Sequence, residues 1–71
     1  MLMTKNHLAA LSLIDSTRDR SGLTNRAEAL IGRFQTDLRT LGLIDYAPNR
    51  PVAWKVTEKG RWFLRTATET P

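Results

Sequence analysis

Two periods of apolar residues alternate along this chain. From Thr4 onward, Leu8, Leu11 and Ile14 recur every three residues with Ala10 beside them, the spacing of one helix face. Thr4 is the natural N-cap, since its hydroxyl can accept from a free N–H of the first turn. Between Ser16 and Gly22 the stripe is lost and charges of both signs alternate, so this stretch reads as a connector. A second stripe follows: Ala27, Leu30, Ile31, Phe34, Leu38 and Leu41 fall on one side of a 3.6-residue wheel. Asn25 and Glu28 have capping-box spacing with Asn as the cap. The opposite side carries Arg26, Ala29, Gly32, Arg33, Thr36, Arg39 and Thr40. Gly32 leaves two readings open, one helix from about Arg26 to Leu41, or a helix-turn-helix that bends at Gly32 and Arg33. Both expose Thr36, Arg39 and Thr40.

Gly42 then occupies the usual left-handed position after a helix, and the period changes to two. Ile44 and Tyr46 alternate with Asp45, and Val52, Trp54 and Val56 alternate with Ala53 and Lys55. Between them lies the turn cluster Ala47-Pro48-Asn49-Arg50-Pro51, which predicts a two-stranded hairpin with Arg50 projecting from a proline-stiffened tip. Thr57 and Glu58 mark the start of a last helix, Thr57 by capping and Glu58 by facing the positive end of its dipole. Phe34, Trp54, Trp62 and Phe63 are read as core aromatics, since each lies on a predicted apolar face.

The expected class is therefore α+β, one domain over residues 1–71 with flexible ends at 1–3 and 67–71. Two or three N-terminal helices precede a two-stranded hairpin and a short C-terminal helix. At 71 residues there is room for one small core, and with no cysteine it must rest on packing alone. That lack suits a reducing cytoplasm. Neither a membrane span nor a signal peptide is expected, because the apolar runs are short and Lys5, Asn6 and His7 interrupt the first of them.

Charge adds a second kind of information. The net value is +4, but residues 1–49 are nearly balanced, and the surplus comes from Arg50, Lys55, Lys59, Arg61 and Arg65 against Glu58. A basic hairpin and final helix suit a polyanion. Asp15 and Asp19 beside Arg18 and Arg20 read as a solvated charge mixture. His7 has no second histidine or acidic ligand at helical spacing, so no metal is expected, and no cofactor. No phosphate loop and no nucleophile–base pair occurs, so the chain is not read as an enzyme.

Two short motifs carry a resemblance. Leu38-Arg39-Thr40-Leu41-Gly42-Leu43-Ile44 precedes the hairpin and Val56-Thr57-Glu58-Lys59-Gly60 closes it. In that order they make Leu38 to Leu64 similar to the winged-helix DNA-binding domain of MarR-like and PadR-like bacterial regulators. The departure is that only a short stretch separates Thr24 from Gly42, so the helix-turn-helix would be abridged or fused. The resemblance implies a small bacterial or phage DNA-binding protein acting in transcription regulation, whose helix ending at Leu41 enters the major groove of double-stranded DNA. Thr36, Arg39 and Thr40 would meet bases or adjacent phosphates, and Arg26 and Arg33 would hold phosphate. Asn49, Arg50 and Lys55 on the wing, with Lys59 and Arg61 behind it, would lie along the backbone or minor groove. No long terminal helix of the kind through which such regulators dimerise follows, which leaves a homodimer open. The alternative is a winged-helix adaptor or inhibitor, of phage or mobile-element type, that uses the same faces on a protein partner.

Overall fold

The computed structural model describes residues 4–17 and 19–69. Arg18 and most of the ends read as flexible, residues 1–3, 70 and 71, lie outside them. The chain is α+β, with helix α1 (Lys5–Ser16), a single 3-10 turn (Arg20–Gly22), helix α2 (Asn25–Thr40), strands β1 (Ile44–Tyr46) and β2 (Trp54–Val56), and helix α3 (Glu58–Glu69). The strands pair antiparallel with Ile44 opposite Val56, Asp45 opposite Lys55 and Tyr46 opposite Trp54. α3 continues through Glu69, into the stretch read as a flexible end.

α1 starts where Thr4 directs it, and His7 takes the acidic residue's place in the capping box. The Thr4 hydroxyl accepts from the His7 N–H, while the His7 ring accepts from the Thr4 N–H at 3.1 Å. The buried stripe is His7, Ala10, Leu11 and Ile14. Leu8 is only half-buried, because the helix is rotated to bring His7 inward. α1 has no basic residue in its last turn; the Leu13 carbonyl is taken instead by the N–H and hydroxyl of Thr17. In the connector, Asp19 is exposed and also makes a local bond. Its carboxylate accepts from the Ser21 N–H at 3.1 Å, which holds its pKa below the usual range, and the Ser21 side chain adds to the effect.

α2 is one continuous helix, so Gly32 does not bend the chain and the helix-turn-helix reading is set aside. The connector before α2 holds a 3-10 turn. The cap is Thr24 rather than Asn25: Thr24 has extended backbone and its hydroxyl accepts from the Ala27 N–H at 3.1 Å, whereas Asn25 is already helical. Ile31 and Leu38 are buried, and Leu30, Phe34 and Leu41 pack at the edge of the core formed by Ala10, Leu11, Ile14, Leu43, Ile44 and Val56.

The end of α2 and the start of α3 are built into each other. Gly42 has φ 76°. Its N–H bonds to the Arg39 carbonyl, and the Leu43 N–H to the Leu38 carbonyl, both at 2.9 Å. These are the paired bonds of a Schellman turn, with buried Leu38 and Leu43 supplying its apolar contact. Thr57 then ties in the far end of the hairpin. Its N–H bonds to the Leu43 carbonyl at 2.9 Å, its hydroxyl donates to the Gly42 carbonyl at 2.7 Å, and the same oxygen accepts from the Gly60 N–H at 3.1 Å. Gly60 is buried, and a Cβ there would overlap the Leu43 carbonyl oxygen and sit 2.6 Å from Val56 Cγ1. Only glycine permits this approach of α3.

The hairpin does not project freely. Its seven-residue connection (47–53) is two successive β-turns, closed by the bonds Arg50 N–H to Ala47 O and Ala53 N–H to Arg50 O, both at 3.0 Å. Pro48 and Pro51 each stand at the second turn position, where a fixed φ is favourable. Ala53 re-enters β2 at φ 62°, and Val52 packs against the core. Among the aromatic residues, Phe34, Trp54 and Phe63 pack at the core's edge as expected. Trp62 does not: it is 56% exposed, standing edge-on to Phe63 at 5.2 Å.

This joint predicts the effect of two substitutions. Gly60→Ala should lower stability by about 2–4 kcal/mol, since the obstructing oxygen belongs to the backbone and cannot rotate away. Thr57→Ala should cost about 1–2 kcal/mol through loss of the cap. Urea denaturation midpoints check both, and a Gly60→Ala protein with an unchanged midpoint would mean that α3 is not seated on Leu43.

Candidate nucleic-acid interface

The solvent side of α2 follows from its core side. With Ile31 and Leu38 fixed inward, Arg26, Ala29, Gly32, Arg33, Thr36, Arg39 and Thr40 all come out exposed. Gly32, Ala29 and Thr36 make a low centre, with arginines toward its margins. Gly32 has open space where a Cβ would stand, so the fold itself has no need of glycine there. Among the described residues, no ion pair engages Arg26, Arg33 or Arg39. Arg33 reaches back over the Phe34 ring, 5.7 Å from its centre. Thr40 donates its hydroxyl to the Thr36 carbonyl at 2.8 Å.

The hairpin supplies one wall of this surface. Trp54, with Gln35, Thr36, Arg39 and Thr40, lines a shallow cleft of about 420 Å³. The Trp54 indole N–H donates to Gln35 Oε1 at 3.0 Å, which fixes the amide and leaves its NH2 free to donate. Gln35 and Trp54 were not among the expected site residues. Gln35 lies between the apolar and polar faces on the helical wheel, and Trp54 reads as plain core, so neither had a signal of its own.

Asp37 is removed from this surface. Its carboxylate accepts from His7 Nε2 at 2.9 Å. The tautomer follows from the capping box: the Thr4 N–H can only donate, so Nδ1 accepts and Nε2 carries the proton. The His7 ring also packs against Phe34 at 4.5 Å. His7 is thus a buried tie between α1 and α2.

Arg50 departs most from expectation. It does not stand free at the tip; it is half-buried, and its Nη2 donates to the Ile14 carbonyl at 3.3 Å, capping the basic-free end of α1. Its Nε is buried with no hydrogen-bond partner among the described residues. A hydrogen bond from a charged donor contributes about 1.5–3 kcal/mol and an unpaired buried N–H costs about 1–3 kcal/mol, so the two nearly cancel. Arg50 sits in a second, polar cleft of about 430 Å³ with Asp15, Tyr46, Asn49, Lys55 and Arg61. The expected site residues therefore divide. Arg26, Arg33, Thr36, Arg39 and Thr40 share the outer face of α2, whereas Asn49, Arg50, Lys55 and Arg61 line this second cleft. Lys59 is exposed in the first turn of α3 and lines neither cleft.

No group of three or more His, Cys, Asp and Glu side chains among the described residues is placed to hold a metal ion. No helix there is long and apolar enough to cross a membrane. Comparison with protein-family models, with curated proteins and with solved structures gives no match for this chain.

The role given to Asp37 predicts a contrast between two variants. Asp37→Ala leaves the buried His7 N–H without an acceptor and should cost about 1–3 kcal/mol. Asp37→Asn keeps an acceptor oxygen in place and should stay nearer the native midpoint. Equal midpoints for the two, measured by denaturant unfolding, would show that His7 is not held from α2.

Proposed function

We propose that this chain is a sequence-specific double-stranded DNA-binding protein of the bacterial or phage regulator kind, acting in the cytoplasm, with the outer face of α2 as its reader. The observation that carries this reading is the exposed face itself: arginines that form no ion pair among the described residues stand around a glycine, an alanine and a threonine. Small residues let a helix backbone approach the floor of a major groove, and arginines beside them reach guanine edges or phosphates. Arg39 and Thr40 lie deepest toward the end of the helix, with Gln35 oriented by Trp54 alongside. Arg26 and Arg33 serve phosphate. Arg50 is not given the minor groove here, because it is tied to α1.

A protein partner is the second reading, and the 56% exposure of Trp62 favours it, since tryptophan is enriched among the residues that carry protein–protein binding.

The two readings part in a salt titration. Binding to random duplex DNA should weaken with salt with a log–log slope of several units, while an adaptor should bind little or not at all. Within the DNA reading, Gly32→Ala is the sharper test. It should raise stability by about 0.5–1 kcal/mol, because an exposed helical glycine costs that much against alanine and its new methyl meets nothing. The same methyl should weaken duplex binding by standing between helix and bases. Arg39→Ala should cost about 1–3 kcal/mol at one base pair of a selected site. A Gly32→Ala protein that gains stability and binds duplex unchanged, together with native discrimination in Arg39→Ala, would remove α2 as the reader.

A further inference from the structure

The second cleft has a chemistry that the α2 face does not explain. Its walls come from the hairpin, from the end of α1 and from α3, and no residue of α2 lines it. Arg50, Lys55 and Arg61 contribute three positive charges against the single carboxylate of Asp15. Among the described residues none of the three forms an ion pair. Asp45 lies across the strand pair from Lys55, but its carboxylate accepts from the Tyr46 N–H instead. The cleft's volume of about 430 Å³ is within the range of small-ligand sites, about 300–1,000 Å³.

Two further features narrow the ligand. The Arg50 guanidinium is fixed in the wall by the Ile14 carbonyl, and its buried Nε has no hydrogen-bond partner among the described residues. Fold stability gains little from that arrangement, and an anion in the cleft would supply the counter-charge it lacks. At the rim, Tyr46 is 61% exposed, and its ring is braced edge-on by Trp54 at 6.1 Å. A cationic cleft with a braced, exposed aromatic ring combines the two elements with which proteins hold single-stranded nucleic acid, charge for the backbone and a π-face for a base.

We propose that this cleft binds one nucleotide unit of single-stranded nucleic acid, its phosphate held by Arg50, Lys55 and Arg61 and its base resting on Tyr46. Asn49 at the turn faces the sugar or base edge, and Asp15 keeps a second phosphate from entering. The site is separate from the α2 face, so it stands or falls independently of duplex recognition.

The test uses the full chain and its own fluorescence, since Trp54 adjoins Tyr46. It is titrated with inorganic phosphate, with thymidine 5′-monophosphate and with an oligothymidylate of about six nucleotides. Affinity should rise in that order. Lys55→Gln and Arg61→Gln, both at exposed positions, should each weaken oligothymidylate binding about tenfold with native denaturation midpoints. Tyr46→Leu should weaken the nucleotide and the oligonucleotide but leave phosphate unchanged. Arg39→Ala should leave all three unchanged, which keeps this outcome distinct from any loss of duplex binding. The proposal is overturned if Lys55→Gln and Arg61→Gln bind oligothymidylate like the native chain, if phosphate alone binds as tightly as the oligonucleotide, or if Arg39→Ala abolishes the binding.

Discussion

Most of this structure depends on the contact between the Schellman turn at Gly42–Leu43 and the cap at Thr57. Two backbone carbonyls at the end of α2 accept from one threonine, through its hydroxyl and its N–H, while the same hydroxyl oxygen starts α3. Glycine is required on both sides of this joint for different reasons. Gly42 adopts a backbone conformation that side chains disfavour, whereas Gly60 makes room for a carbonyl oxygen. Because the joint closes around both ends of the hairpin, it also sets the strand register. Ile44 follows Leu43 and Val56 precedes Thr57, so pairing Leu43 with Thr57 leaves Ile44 opposite Val56 and directs both into the core. A slip by one residue would turn these side chains outward.

With its base fixed this way, the hairpin can only fold over the helices. Two proline-containing turns bring Val52 onto the core and Arg50 onto the end of α1. The cation that α1 lacks in its own last turn thus comes from a distant part of the chain. His7 and Asp37 perform the equivalent service at the other end of α1. In a 71-residue chain without cysteine, with a core that is small by necessity, such polar ties fix how the hairpin and α2 meet α1. They also use up side chains that would otherwise belong to the surface, and so help decide which charges remain exposed.

What could be read from the sequence was whatever repeats or caps locally. The inward face of α2, the glycine after it, the alternating strands and the threonine before α3 each follow from the spacing of neighbours. The joint was legible only as two motifs in order; that they bond to each other is a matter of three dimensions. Arg50 and Trp62 depart from their expected places. A proline-flanked arginine looks like a free tip, and a tryptophan beside a phenylalanine looks like core. Arg50 is placed by a residue far away in sequence, Ile14, just as the bond that His7 makes depends on the distant Asp37. Trp62 is placed by the angle at which Gly60 lets α3 approach, which turns Phe63 toward the core and Trp62 away. The shift of the cap from Asn25 to Thr24 is a smaller case, a choice between adjacent polar residues made by backbone conformation.

The division of the basic residues into two groups bears on how the surface charge should be understood. A surplus concentrated after residue 49 looks in sequence like one basic wing that assists one recognition helix. In the fold, part of that surplus turns away from α2 and gathers with Tyr46, while α2 keeps arginines drawn from the nearly balanced N-terminal part. Net charge along the sequence therefore does not locate the exposed positive side chains of the fold. On α2, Asp37 bonds to His7 and Glu28 stands in the first turn, and among the described residues Arg33 and Arg39 form no ion pair. That outer face is a product of the core's geometry as much as of composition, since rotating the helix enough to bury Gly32 would expose Leu38, which is now fully buried.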